Sequence, residues 1–381
     1  MSLDLFSFLA RLRKTNNPPV VEKGANPLRF GLLGAAKIAP DAIVKPIQCH
    51  EDAVLVAVAA RDQRRVEAFG RKWGIPKTYD GSNAYQDLLD NTEIDAVYVA
   101  LPNALHYEWT MKALTAGKHV LCEKPIANNE EEAHKMFALA QEKNLLLIET
   151  WQPHFHPAVH RTKEIIEEGA LGKIVKMEGH LCVWSSTFGK DDIRFKYGLG
   201  GGALMDLGPY PINLLRYLSS SEPTVESATT ICRSKNIDKR VKAHLTFAES
   251  IPAVVIVDSG MDGWGPLQLL PPWPKVHGRV ECENGTVEIF NYPLPSLYHS
   301  ITVTLTGGKA GTERVWKPQD GRGEGWWSAY RYQLEAFIDK VRGREPQAWR
   351  TAEDSINSMR IIDAIYTKSG LPLRQTSQFE L

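Results

Sequence analysis

The sequence has no excess of charge of either sign. Its 381 residues include 45 Lys plus Arg and 45 Asp plus Glu, so the formal net charge is zero. A neutral chain offers no electrostatic basis for binding nucleic acid or an anionic membrane surface. It also contains no apolar run as long as the roughly 18–20 residues that cross a bilayer. We therefore expect neither a nucleic-acid partner nor a membrane partner.

Cysteine is scarce as well. The five cysteines are dispersed, with no CxxC pair and no Cys/His group at the spacing of a zinc site. They are Cys49, Cys122, Cys182, Cys232 and Cys282. We expect reduced thiols, a cytoplasmic protein and no metal.

Residues 1–27 differ in composition and pattern from the rest of the chain. A short apolar stretch preceded by Asp4 and followed by basic residues predicts an amphipathic helix, and it lacks the small-residue cleavage site of a secretory signal. A polar, proline-containing connector follows. This N-terminal arm and linker either packs on a partner subunit or forms a disordered tail.

Residues 28–150 alternate short apolar runs with helix-like segments. Runs such as "VLVAVAARD" and "IDAVYVALP" show no polar alternation, which is typical of strands covered on both faces. Alternation of such strands with helices predicts a doubly wound parallel sheet, the Rossmann type of α/β domain.

Residues 151–381 are richer in longer, alternating strands. Glu283-Asn284-Gly285 has the composition of a hairpin turn. We expect an α+β domain with an open, mostly antiparallel sheet, used for substrate binding and oligomerisation. Two helices close the sequence, and the last of them could pack back on the first domain.

The turn after the first strand carries a candidate cofactor site. Dinucleotide-binding turns read Gly-x-Gly-x-x-Gly/Ala, so that backbone amides and a helix N-terminus can approach a pyrophosphate. Here the turn reads Gly34-Ala35-Ala36-Lys37-Ile38-Ala39, with Ala36 at the usual middle glycine. Gly34, Ala36, Lys37 and Ile38 are therefore cofactor candidates, although a tight turn without a ligand has the same local pattern.

The end of the second strand bears on the choice of cofactor. An acid at this position suits the ribose hydroxyls of NAD, and an arginine suits the 2′-phosphate of NADP. Arg61 occupies the position, with Arg65 close behind, and a guanidinium matches phosphate geometry. We expect NADP. The adjacent Asp62 leaves NAD open, and a solvated helix start is the alternative.

Further candidates follow the later strands. Each lies where a strand of the first domain ends, which is the side on which ligands bind in such sheets. They are Leu101, Asn103, His106, Glu123, Lys124 and Trp151. Asn103 and His106 could face the nicotinamide ribose, although a lone histidine is more often structural.

Carbonyl–alcohol redox chemistry assigns a role to Lys124 and Tyr210. One proton moves as the hydride moves. A tyrosine can carry it only if its pKa, ~10 when unperturbed, falls toward neutrality, which takes about 4 kcal/mol. An ammonium group at ~4 Å and an effective dielectric of about 20 supplies that much. We expect Lys124 and Tyr210 to lie together over the reactive carbon of the cofactor.

Asp206 lies four residues before Tyr210, so a continuous helix would put both on one face. Asp206 could orient the lysine or bind the substrate. Pro209 and Pro211 fall inside this helical run and are expected to kink it. Phe155, Arg194 and Phe195 are expected to contact the substrate, because sugars present C–H faces to rings and hydroxyls to charged groups.

Taken together, three motifs resemble the Gfo/Idh/MocA family of nicotinamide-dependent oxidoreductases: the Gly34–Ala39 turn, "EKP" at 123–125 and "GGGALMDLGPY" at 200–210. The tyrosine at 210, where many members have histidine, resembles the subgroup with glucose–fructose oxidoreductase, dimeric dihydrodiol dehydrogenase and D-xylose 1-dehydrogenase. The resemblance implies Lys124 and Tyr210 as the catalytic pair and a homodimer through the C-terminal sheet. Ala36, the two prolines and the Trp/Pro-rich stretch 262–275 depart from the pattern.

These observations predict an NADP-dependent oxidoreductase acting on a sugar or cyclic polyol. Tyr210 transfers the proton, Lys124 lowers its pKa and Asp206 positions the pair. Two alternatives stay open: a non-catalytic dinucleotide-binding regulator, and a redox-assisted glycoside lyase or hydrolase that retains its cofactor.

Overall fold

The computed structural model describes residues 5–189, 191–264, 270 and 272–381. The chain divides into two compact units. The first runs to Phe155 and also includes Gly323–Ser355 and Thr376–Leu381. The second comprises His156–Arg322 and Ile356–Gln375. The expected domain boundary at residue 150 lies near the first junction, whereas the segment assigned to the second domain contains two pieces of the first unit.

The first unit alternates strands and helices. Its elements up to Thr150 are α1 (Leu5–Asn16), β1 (Leu28–Leu33), α2 (Lys45–Gln48), β2 (Ala53–Ala59), α3 (Gln63–Trp73), β3 (Lys77–Tyr79), α4 (Ala84–Leu89), β4 (Ala96–Val99), α5 (His106–Thr115), β5 (His119–Glu123), α6 (Glu130–Glu142) and β6 (Leu147–Thr150). A π-helical segment, Pro40–Val44, leads into α2.

Within the described ranges, the strands of this unit form a parallel sheet in the order β3-β2-β1-β4-β5-β6. Every residue of β4 is buried, as are the last four residues of β5. The continuous apolar runs therefore reflect strands covered on both faces. The predicted doubly wound sheet is confirmed.

The second unit is built on a larger sheet. Its elements are α7 (Pro157–Glu167), β7 (Ile174–Trp184), α8 (Ala203–Leu207), α9 (Pro209–Ser219), β8 (Thr224–Ser234), β9 (Ile237–Phe247), β10 (Ile251–Met261), β11 (Lys275–Cys282), β12 (Gly285–Phe290), β13 (Ser300–Leu305) and β14 (Ala310–Glu313). Residues 265–269 and 271 of the Trp/Pro-rich stretch lie outside the described residues.

The strand order of this sheet, over the described residues, is β14-β13-β12-β11-β7-β10-β9-β8. Neighbouring strands are antiparallel except for the parallel pair β7 and β10. Glu283 and Asn284 form the expected hairpin turn between β11 and β12. A Cβ added to Gly179 on β7 would lie 2.8 Å from the Cβ of Pro211, so α9 packs closely on the central strand. The mostly antiparallel sheet is confirmed.

Two helices close the sequence, as predicted: α10 (Ala329–Val341) and α11 (Ala352–Ser369). Helix α10 belongs to the first unit, where Phe337 is fully buried with its ring centroid 6.1 Å from that of Phe30 on β1. Most of α11 belongs to the second unit. The helix that packs on the first sheet is thus α10.

The N-terminal connector packs on the first unit. Val21 and Gly24 donate backbone hydrogen bonds to Gln48 and Glu51 at 3.1 and 3.0 Å. The ammonium of Lys23 donates to carbonyl oxygens at the end of α2, which leaves a helix C-terminus satisfied. The connector is therefore ordered in the described structure. None of the helices in the described part of the chain has the length and hydropathy needed to cross a membrane.

Candidate functional site

The glycine turn after β1 is shaped by a close backbone approach. Gly34 has φ +100° and donates its N–H to the carbonyl oxygen of Ala59 at 2.9 Å. A Cβ at this position would lie 2.5 Å from the carbonyl oxygen of Ala100, so only glycine fits. Ala36 is half-buried, whereas Lys37 and Ile38 are exposed. The four cofactor candidates of the turn therefore surround the carboxyl end of β1.

The two arginines after β2 have different environments. The guanidinium of Arg65 donates two hydrogen bonds, of 3.0 and 2.7 Å, to the carbonyl oxygen of Ala35. Arg61 is exposed and lies beside the hydroxyl of Tyr85; burial raises the pKa of Tyr85, and the charge of Arg61 opposes this. Both arginines are exposed, but Arg65 binds the glycine turn through its guanidinium, whereas Arg61 lies beside Tyr85.

Asp62 is committed to the helix that follows β2. Its carboxylate accepts the backbone N–H of Arg65 at 2.7 Å and caps α3. In an NAD site, an acid near this strand end binds the ribose hydroxyls. Because the Asp62 carboxylate serves as a cap, the geometry favours a phosphate-binding arginine over an acidic ribose contact.

The loop after β4 holds His106 in a structural role. Leu101 is buried and Asn103 half-buried. His106 is fully buried, and its two ring nitrogens lie 2.9 and 2.8 Å from the carbonyl oxygens of Leu101 and Pro125. Burial lowers the pKa of His106, and the two carbonyls oppose this. The ring nitrogens of His106 thus tie together the loops after β4 and β5, and its contact with the nicotinamide ribose stays a prediction.

Glu123 supports the turn that presents Lys124. Its carboxylate accepts the Tyr98 hydroxyl at 2.6 Å and the backbone N–H of Lys124 at 3.3 Å. Burial raises the pKa of Glu123. Glu123, expected to contact the cofactor, is buried against the sheet. Lys124 follows it at the carboxyl end of β5, is half-buried and forms a cis peptide bond with Pro125.

A buried ion pair holds the same turn from its other side. Glu149 on β6 accepts the backbone N–H of Ile126 at 3.1 Å and both Nε and Nη2 of Arg350, at 2.9 and 2.7 Å. The Arg350 guanidinium also lies 5.4 Å from the ring centroid of Trp151. Trp151 is fully buried, as Phe155 nearly is. Trp151 and Phe155 therefore expose almost no surface for the cofactor and substrate contacts that the sequence predicts for them.

In the second unit, Asp206 is paired with Arg194. The Arg194 Nε donates to the Asp206 carboxylate at 2.6 Å, and Nη1 donates to Asp192 at 3.0 Å. Burial lowers the pKa of Arg194, but the two carboxylates outweigh it and raise the pKa overall. The ring of Phe195 stacks under the guanidinium of Arg233, 3.8 Å from the ring centroid. The structure thus brings Asp206 and Arg194 together in one charged cluster.

Tyr210 is the second residue of α9. Helix α8 ends at Leu207, and Pro209 occupies the first position of α9, where its missing N–H breaks no helical hydrogen bond. The helical run is thus interrupted at Gly208, directly before Pro209, where the sequence predicts a kink. Tyr210 is half-buried, and its neighbour Tyr292 has a pKa raised by burial and, to a lesser extent, by Cys182 and Tyr210.

Two family models match the chain. The Rossmann-fold model of an oxidoreductase family, GFO_IDH_MocA, matches residues 28–150, and the C-terminal domain model of that family matches residues 159–288. The chain belongs to the Gfo/Idh/MocA family of oxidoreductases. The first matched range contains Lys124, and the second contains Asp206 and Tyr210.

Two curated relatives are named as dehydrogenases of a sugar and of a diol. The D-xylose 1-dehydrogenase (NADP(+)) 2 of Haloferax volcanii is 32% identical over 343 residues, which cover 89% of this chain and 96% of that protein. The trans-1,2-dihydrobenzene-1,2-diol dehydrogenase of Mus musculus is 31% identical over 299 residues, with 77% of each chain covered.

A solved relative is a 3-ketoreductase from Actinomadura kijaniata in complex with NADP and TDP-benzene. Its TM-score is 0.77 at 25% identity, with 90% of this chain and 98% of that chain covered. Structures of the same enzyme with one tyrosine changed to phenylalanine and with one lysine changed to alanine match as well. The altered lysine and tyrosine are separated along that chain by nearly as many residues as Lys124 and Tyr210 are in this one.

Among the residues that the structure describes, no group of three or more His, Cys, Asp or Glu side chains could hold a metal ion.

Proposed function

We propose that this protein is an NADP-dependent dehydrogenase that acts on a sugar or related cyclic polyol. One observation carries the proposal. Gly34, Leu101 and Lys124 follow β1, β4 and β5, which are adjacent parallel strands, so all three lie at one edge of one sheet. This is the edge at which ligands bind in doubly wound sheets. Lys124 is therefore close to the strand ends that would hold the cofactor.

The residues around the glycine turn fit a dinucleotide. The turn at Gly34 leaves no room for a Cβ, and the guanidinium of Arg65 holds the carbonyl of the adjacent Ala35 by two hydrogen bonds. Ala36, Lys37 and Ile38 would contact the pyrophosphate of the dinucleotide, and Asn103 would contact its nicotinamide ribose. The exposed guanidinium of Arg61 would bind the 2′-phosphate, which supports NADP, the cofactor named for the Haloferax and Actinomadura relatives. When bound, the nicotinamide supplies the hydride acceptor or donor.

Proton transfer is assigned to Tyr210. Its phenol takes the substrate hydroxyl proton in the oxidation direction and returns it in reduction. The ammonium of Lys124 stabilises the phenolate form. The variant structures of the Actinomadura enzyme, which single out one lysine and one tyrosine, support this assignment.

Asp206 and Arg194 are assigned to the substrate. Arg194 neutralises the Asp206 carboxylate, which matters because an unpaired carboxylate near a phenol favours the protonated form. The carboxylate can accept a substrate hydroxyl, and Phe195 offers a ring face for C–H contacts. The names of the xylose and dihydrobenzenediol dehydrogenases support a polyhydroxylated ring as the substrate class.

One screen with one matched pair of variants tests the proposal. Reduction of NADP and NAD is followed at the nicotinamide absorption band with aldopentoses, aldohexoses and aromatic dihydrodiols. On the best substrate, Tyr210→Phe is expected to lower kcat by about 10²–10⁴-fold. Tyr217→Phe, also on α9 but with its hydroxyl 2.6 Å from His160, is the control and is expected to keep wild-type turnover.

The outcomes separate the competing functions. Near-wild-type turnover of Tyr210→Phe would contradict the assigned chemistry. Cofactor binding without turnover on any substrate would favour a dinucleotide-binding regulator. Tightly retained nucleotide, with substrate consumed but no net release of reduced cofactor, would favour a redox-assisted lyase or glycosidase.

The proposal includes a homodimer that forms through the second sheet. The face of the sheet opposite α9 carries a central stacked pair, His180 and His277, with ring centroids 4.6 Å apart, flanked by the half-buried Ile256 and Phe290. Such a partly apolar, partly polar face suits contact with a second copy of the chain. Sedimentation of the wild type and of Ile256→Glu tests the dimer, and a monomeric wild type would contradict it.

A cytoplasmic location is also part of the proposal. The cysteines are free thiols, which supports a reducing compartment.

A further inference from the structure

A buried polar cluster lies under the glycine loop of the second unit. Asp238 on β9 accepts Nη2 of Arg374 at 2.7 Å and the hydroxyl of Tyr366 at 3.0 Å, both on Oδ1. Nη2 of Arg374 also donates to the Tyr366 hydroxyl oxygen at 2.7 Å. No member of the cluster is more than 2% exposed. It lies outside the assigned chemistry, yet it joins a strand, a helix and the segment after α11.

The cluster is bonded to the backbone of the loop that leads into α8. Nε of Arg374 donates to the carbonyl oxygen of Gly201 at 2.7 Å. The second carboxylate oxygen of Asp238 accepts the backbone N–H of Leu204 at 2.6 Å. A Cβ at Gly202 would contact Asp238, Arg374 and Tyr366. The loop and the cluster therefore fit only one arrangement of the backbone.

Asp238 caps the start of α8, which the N-cap residue of that helix cannot do. The N-cap of α8 is Gly202, which has no side chain to accept the first free N–H groups. A carboxylate that accepts the N–H of the second helical residue is the usual capping arrangement, here supplied from a distant strand. Arg374 in turn balances the buried charge of Asp238, because an unpaired buried carboxylate is strongly disfavoured.

Asp206 lies in the first turn of α8, and Tyr210 follows in the first turn of α9. We propose that Arg374, Asp238 and Tyr366 are positioning residues, which set the direction of Asp206 and Tyr210 by fixing the start of α8. This inference rests on the proposed function. The hydrogen bonds of the cluster described above go to the backbone of the loop, so its effect should appear in turnover and in the order of the loop, and not in cofactor affinity.

The test compares arginine-to-lysine changes at two buried arginines of the same unit, each of which forms an ion pair. Lysine keeps the charge of Arg374, but one ammonium cannot reproduce the fork that joins Gly201 to Asp238. Arg216 is the matched control: it is 6% exposed and forms a two-bond pair with Glu222, at 2.7 and 2.6 Å, beyond the far end of α9. Tyr366→Phe is a milder change that keeps the ion pair.

We expect Arg374→Lys to lower kcat by about tenfold or more, the equivalent of one charge-assisted hydrogen bond. Affinity for NADPH, measured by fluorescence, should stay within about twofold, and hydrogen exchange at the amides of Leu204 and Asp206 should become faster. Tyr366→Phe should change the same quantities in the same direction by less. Arg216→Lys should leave both the exchange at these amides and kcat per folded molecule unchanged.

Unchanged exchange at Leu204 and Asp206 in Arg374→Lys would overturn the inference, as would faster exchange with wild-type kcat, since that combination describes a purely structural cluster. Equal effects of Arg216→Lys would also overturn it. Absence of turnover in the wild-type protein contradicts the proposed function instead, and the exchange comparison then decides the loop-holding role by itself.

Discussion

Arg194 donates its Nε–H to the carboxylate of Asp206 over 2.6 Å. The pair lies one helical turn before Tyr210, so its net charge affects the ionisation of the phenol. In Arg194→Met the carboxylate remains and its partner is lost, which favours the protonated phenol. We expect the acidic limb of the pH–rate profile for substrate oxidation, in which the phenolate accepts the proton, to move to higher pH by about one unit.

The double variant Arg194→Met/Asp206→Asn tests the electrostatic reason. Removing the carboxylate as well should return the limb toward its wild-type position, even if KM stays high. A limb that moves equally in the single and double variants would show that Arg194 acts through substrate contact alone. Initial rates between pH 5 and 10 at saturating substrate provide the measurement.

Arg61 provides a test of cofactor choice. Because its guanidinium is the exposed candidate for the 2′-phosphate, Arg61→Ala should raise KM for NADP by about 10–100-fold, as expected for loss of a charge-assisted hydrogen bond. KM for NAD should change little. Arg64→Ala, an exposed neighbour on α3, is the control. Equal losses for both cofactors in Arg61→Ala would argue against the 2′-phosphate contact.

Gly34 and Gly74 form a matched pair for the glycine turn. Both have positive φ, +100° and +66°, but a Cβ at Gly74 meets nothing within 4 Å, whereas one at Gly34 meets the carbonyl of Ala100. Gly74→Ala should therefore cost only backbone strain, roughly 1 kcal/mol. Gly34→Ala must move the turn as well, so NADPH binding measured by titration should fall by more than tenfold, or about 1.4 kcal/mol. Equal NADPH affinity in the two variants would contradict the crowded turn.

The His180–His277 pair predicts an acid-sensitive second unit. Burial, followed by the neighbouring His277, lowers the pKa of His180 to about 4. The unfolded chain therefore binds the proton first, and the free energy of unfolding should decrease as the pH falls from about 6.5 toward 4, by at most about 3 kcal/mol. His180→Gln should lack this part of the pH dependence. Urea unfolding followed by circular dichroism at pH 7 and pH 4.5 gives the comparison, and parallel curves for the two proteins would contradict it.

The strand-end residues could be predicted from the sequence because they follow local patterns. The apolar run of β5 and the charged turn after it located Lys124, and the glycines before α8 located Asp206 and Tyr210. The prolines likewise marked the interruption of the helical run, which falls at Gly208, directly before Pro209.

The supporting residues could not be found in this way. Arg350 and Glu149 are 201 residues apart, and Arg374 and Asp238 are 136 apart. Each pair joins two charged residues that are distant in sequence, and only the tertiary fold brings them together and buries them. The burial of His106 and Trp151 was equally invisible in the sequence, where their chemistry suggested ligand contacts.

Helix α10 has a consequence for synthesis on the ribosome. Phe337 fills the core beside Phe30, yet it emerges only after the whole of His156–Arg322 has been translated. The first unit, although it starts first, therefore lacks this part of its core until α10 has been made. The second unit is also incomplete at that point, because Ile356–Gln375 is translated after α10, so neither unit can complete its fold until the last part of the chain emerges.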